Sequence, residues 1–140
     1  MEIKRAIDVN KSSFYAFISQ YDACTDEVQF TQGMSYVVEE EGRVLSWFQL
    51  EPLQPHCFWL KKMFILQEEA LKLPEMLHVI LQFSKEKGAD KLYANSKQLV
   101  TDLLFRSFSF TLQASEELEA FQLSEEGNWW CYSFQELAGA

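Results

Sequence analysis

The stretch from Cys57 to Ala94 constrains the fold of this chain more than any other. An apolar run, Cys57 to Leu66, is followed by a helical pattern opened by Pro74 and Glu75 and carrying Met76, Leu77, Ile80, Leu81 and Phe83; Gly88 stops it, and a short strand pattern, Lys91 to Ala94, comes next. Proline suits the first turn of a helix, where its missing N–H has no partner to lose, and glycine suits the turn beyond the last. A strand, a helical crossover and a second strand at this spacing form a βαβ unit, so the two strands are expected to be parallel neighbours.

The segments before it show a different pattern. Tyr36–Val38, a turn at Glu39–Gly42 and Val44–Leu50 read as a hairpin with a glycine-containing loop. Pro52 and Pro55 are expected to break the run before Cys57, and the short connections make three sequential antiparallel strands. The sheet is therefore mixed. At the N-terminus, Ile3–Ile7 reads as a strand, and Asp8 and Asn10 are candidate caps for a helix carrying Phe14, Phe17, Ile18 and Tyr21. Asp22–Gln32 reads as a loop or a second short helix. Lys97–Ser107 returns to helical spacing with Leu99, Val100, Leu103 and Leu104, an alternating run through Phe108 and Phe110 ends near Ala114, and Trp129–Phe134 is the last strand.

At 140 residues one domain is expected, and a hydrophobic fraction of 48% that includes twelve Phe, four Trp and five Tyr supplies its core. Global disorder is excluded. A net charge of −9 lacks the basic footprint that nucleic-acid binding requires, whereas it suits a basic small molecule or basic peptide and also keeps the chain soluble. Cys24, Cys57 and Cys131 are odd in number and widely spaced, which suggests neither a disulfide framework nor a zinc site and points to a cytoplasmic location. No uncharged run is long enough to span a membrane. His56 and His78 alone make no metal site, so none is expected, and Cys57 beside His56 reads as a core residue rather than a nucleophile. With side chains alternating across a strand, Trp129 and Trp130 face opposite sides, and one exposed ring would suit a homodimer contact.

The order of elements resembles the GNAT superfamily of acyl-CoA-dependent N-acetyltransferases over nearly the whole chain. Two stretches carry the resemblance locally: Phe83–Tyr93 is similar to the end of the family's main helix running into its fifth strand, and Leu104–Phe110 to its "LYEKLGF" stretch. The resemblance implies an α/β, three-layer domain spanning residues 1–140, with a mixed, mostly antiparallel twisted sheet and helices on both faces. It implies transfer of an acetyl group from acetyl-CoA to a primary amine of a small molecule or peptide. The pyrophosphate loop would be Gln67, Glu68, Glu69, Ala70, Leu71 and Lys72, which holds no glycine and two carboxylates. Backbone amides at Phe64 or Ile65 would hold the oxyanion, Glu51 is the nearest candidate base, and Phe105 stands where many members carry a tyrosine. Lys61-Lys62 would offer a phosphate contact or simply face solvent. The alternative is an inactive GNAT-like binding or protein-interaction module that has lost the coenzyme.

Overall fold

The computed structural model describes residues 1–19, 34–114 and 126–134. Among the described residues, seven strands form one sheet: β1 (Glu2–Arg5), β2 (Ser35–Glu40), β3 (Arg43–Gln54), β4 (Cys57–Ile65), β5 (Lys91–Ser96), β6 (Thr111–Leu112) and β7 (Asn128–Ser133), in the order β1-β2-β3-β4-β5-β7-β6. The described α-helices are α1 (Lys11–Ile18), α2 (Leu73–Glu86) and α3 (Leu99–Ser107), with 3-10 turns at Ala6–Asp8 and Gln67–Lys72. The expected loop or helix at Asp22–Gln32 lies outside the described residues, as do Tyr21 and Cys24. The chain packs as two compact units, one of Met1–Leu50 with Lys62–Phe83 and one of Glu51–Lys61 with Ser84–Ala140.

In the first unit, α1 begins where the Asn10 side chain accepts hydrogen bonds from the amides of Ser12, at 2.9 Å, and Ser13, at 3.4 Å. Its buried residues Phe14, Phe17 and Ile18 join Val37, Val44, Trp47 and Leu66 in one cluster. Because side chains alternate along a strand, the neighbours of Val37 and Trp47 point to the other face. There Tyr36 and Phe48 stack with centroids 5.6 Å apart, and Phe83 of α2 meets both edge-on. Helices thus cover both faces of the β2–β3 pair, and five consecutive residues of β2, Ser35–Glu39, are buried. Glu39 is paired in that setting with Lys4 on β1, 2.8 Å away. The hydrogen bond from Lys4, more than its charge, accompanies a lysine pKa raised above its ordinary value.

Pro52 does not end its strand; β3 continues to Gln54. The β2 register stops at Gln49, so the missing proline N–H lies past the last β2 partner and Pro52 is exposed.

In the second unit, the expected parallel pair is present: Cys57↔Lys91 through Leu60↔Ala94. At the turn before β4, His56 sits at φ +69°, its carbonyl accepts from the amides of Asp90 and Lys91, and its ring Nδ1 lies 2.9 Å from the Gly88 carbonyl oxygen. That junction fixes where β5 begins. Trp129 and Trp130 are each only 3% exposed, which overturns the expectation of one outward ring. The reason is position: β7 lies between β5 and β6, Trp129 packs on Trp59, and Trp130 lies near Phe105 with its indole N–H bonded to Asp102. No described helix is long and apolar enough to cross a membrane.

Candidate functional site

The segment Gln67–Lys72, which the family resemblance puts at the pyrophosphate-loop position, is a 3-10 helix. Without glycine the backbone does not splay into a row of outward amides; it closes on itself. The Glu69 amide donates to the Leu66 carbonyl at 2.8 Å and the Leu73 amide to the Ala70 carbonyl, while Pro74 in the first turn of α2 has no N–H to offer. Gln67, Ala70 and Leu71 are exposed, Leu71 almost fully.

The charged residues of this segment are engaged within the first unit. Arg43, at the start of β3, pairs through Nη2 with Glu68 and through Nη1 with Glu69 at 2.7 Å. Lys72 reaches Glu69 at 3.2 Å and Glu40, at the end of β2, at 3.4 Å. The result is an alternating chain, Glu68–Arg43–Glu69–Lys72–Glu40, of three carboxylates and two cations. Hydrogen bonding from Lys72, with Arg43 adding to it, holds the Glu69 carboxyl below its ordinary range, and the bond to Glu69 holds the Lys72 ammonium above its own. Both remain ionised across neutral pH.

Sequence reasoning placed Glu68, Glu69 and Lys72 in this segment but missed Arg43 and Glu40. Both lie in or beside the β2–β3 turn, far away in sequence. The turn and the 3-10 helix share a neighbourhood because the start of β3 reaches the end of β4, where the Leu66 amide donates to the Leu45 carbonyl at 3.0 Å. The usable signal was the antiparallel β3–β4 order together with a single arginine after three glutamates. Next to Arg43 lies a cavity of about 420 Å³, lined also by Ser12, Ser13 and Phe17 of α1, by Gly42 and by Leu66.

Of the other expected site residues, Phe64 and Ile65 are half-buried in β4, and the Phe64 ring stacks on Trp47 at 5.3 Å. They belong to the same unit as the ion-paired segment. In the second unit, Glu51 is half-buried and lies 3.7 Å from Lys61, which also sits over the Trp59 ring. Lys61 and Lys62 are both exposed, because burial along β4 runs in pairs there and not in alternation. Phe105 is buried against Phe110, centroids 4.8 Å apart. Cys57 is half-buried and its thiol pKa is raised, chiefly by burial, which disfavours a thiolate nucleophile.

No family model and no curated protein matches the chain by sequence. Solved structures do match by shape. An N-acetylglutamate synthase from Neisseria gonorrhoeae, complexed with coenzyme A and N-acetyl-glutamate, superposes with a TM-score of 0.67 at 13% identity over 94% of this chain. This chain has the GNAT acetyltransferase fold. It spans only about a third of that longer protein, 34%, but it accounts for 98% of a GNAT-family acetyltransferase from Staphylococcus aureus, with a TM-score of 0.67 and 14% identity over 94% of this chain. A Bacillus subtilis acetyltransferase in complex with CoA gives 0.60 and 14%, covering 93% of this chain and 95% of that one. The shared GNAT scaffold makes coenzyme A the group to test against the residues present. They do not fit its pyrophosphate: the Glu69 and Leu73 amides are taken by backbone carbonyls, and the segment's carboxylates already hold both cations.

Proposed function

We propose that this GNAT-fold chain is a binding module that has lost coenzyme-dependent acetyl transfer, and that its ligand is a small amine or a basic peptide. The observation that carries the reading is the ion-paired 3-10 helix at Gln67–Lys72, in which Arg43 and Lys72 are held by Glu68, Glu69 and Glu40. An incoming diphosphate would meet an excess of negative charge, with the Glu69 and Leu73 amides already taken by backbone carbonyls. The basic character of the ligand follows from the net charge of −9, which attracts cations and repels polyanions.

A titration of acetyl-CoA into the full chain, followed by thermal unfolding, tests this. A ligand held at about 100 times its Kd adds about 2.7 kcal/mol of stability, a shift of several degrees for a chain this size. The expected result is no shift at millimolar coenzyme. A saturable rise in Tm would overturn the reading.

Amine acetylation is the second reading, favoured by one observation: solved structures that share the fold hold coenzyme A. It requires the ion-paired segment to open first, with Phe64 and Ile65 as the candidate oxyanion contacts. The same titration separates the two.

A further inference from the structure

We propose that Glu68 and Glu69 act as a built-in anion that occupies a cation site, made by Arg43 and Lys72, which would otherwise take a diphosphate. The proposal deepens the reading that the Gln67–Lys72 segment is closed to coenzyme, and names what closes it. Two adjacent carboxylates bridged by one guanidinium present the oxygen pattern that a diphosphate would present to the same fork of N–H donors. Arg43 uses Nη2 for Glu68 and Nη1 for Glu69, and Lys72 takes the other Glu69 oxygen. The plug is covalently tethered, so no free anion at ordinary concentration displaces it easily.

The outer part of the clasp is solvent-facing: the Arg43 and Glu68 side chains are 50% and 57% exposed, whereas Glu69 is 12% exposed. Exposed pairs of this kind are individually weak, so the cations are held by number and tether rather than by burial. Arg43 also borders the 420 Å³ cavity, which leaves room for an external anion to approach its guanidinium. Neutralising Glu68 and Glu69 changes the five-residue group from one excess negative charge to one excess positive charge, with only Glu40 left opposing Arg43 and Lys72. The site then attracts the ligand class it now repels.

The test is calorimetric titration of inorganic pyrophosphate into the full chain at low ionic strength. The E68Q/E69Q variant is expected to bind at least about tenfold more tightly than the wild type. The gain should vanish in R43Q/E68Q/E69Q and be absent in E2Q/E86Q, which changes net charge equally at two exposed positions. No gain in E68Q/E69Q, or an equal gain in E2Q/E86Q, would overturn the proposal. A second measurement needs no ligand: carboxyl-carbon NMR titration of Glu69 should move upward in R43Q, and an unchanged titration rejects the clasp. Wild-type binding of acetyl-CoA would sink the functional reading above, whereas a pyrophosphate-blind E68Q/E69Q beside a coenzyme-blind wild type would sink only this one.

Discussion

Gly127 shows what one residue decides. Its φ is +107°, and a Cβ there would collide with the Ser96 carbonyl oxygen and crowd Lys97. Both the backbone conformation and the space are reserved for glycine. Gly127→Ala is therefore expected to lower stability by about 2 kcal/mol or more, measured by urea denaturation, with an unchanged midpoint counting against the placement of β7 on β5. Gly42, at φ +78° with open space around it, should tolerate alanine better, since only the conformational cost applies. Nothing in the sequence separates these two glycines. Their difference is a neighbour 31 residues upstream of Gly127, and spacing carries no trace of it. Arg43 is similar: as a letter it closes a hairpin turn, and in the structure it holds the acids of the 3-10 helix.

At the scale of elements, α3 is tied to β7 by one carboxylate. Asp102 accepts from the Trp130 indole N–H at 2.9 Å and from the Asn128 side-chain amide at 3.1 Å. The Trp130 hydrogen bond is the main reason that its pKa is lowered from the ordinary 3.8. A carboxyl with a depressed folded pKa contributes stability that is complete above its unfolded value and lost as pH falls through the folded one. Unfolding midpoints should hold between pH 7 and pH 5 and fall below pH 4, with a shallower acid limb in Asp102→Asn; parallel limbs in the two proteins would remove this role. The hairpin, the βαβ crossover and the helices were legible in the sequence because each depends on local period and turn residues. Gln67–Lys72 was legible as a glycine-free, acidic segment, but its 3-10 backbone was not, because that depends on geometry the residue types do not fix.

For the whole molecule, the charge of −9 is the dominant long-range term. Self-repulsion of that size is screened by added salt, so raising sodium chloride from about 10 mM to about 500 mM should raise Tm by a few degrees, even though the Arg43 and Lys72 pairs weaken in the same solution. A fall in Tm would mean that attractive pairs outweigh the general repulsion. The sequence by itself determined the mixed sheet, its parallel β4–β5 pair and the aromatic core, because hydrophobic period, proline and glycine act over a few residues at a time. The tertiary structure decided that Trp129 and Trp130 are both covered, since strand order and not strand pattern sets which edges are interior. It also decided the fate of the acidic loop: Glu68 and Glu69 are repulsive to an anion on paper, yet whether they stand open or paired depends on a cation delivered from the start of β3, through pairing that brings distant residues within hydrogen-bond reach.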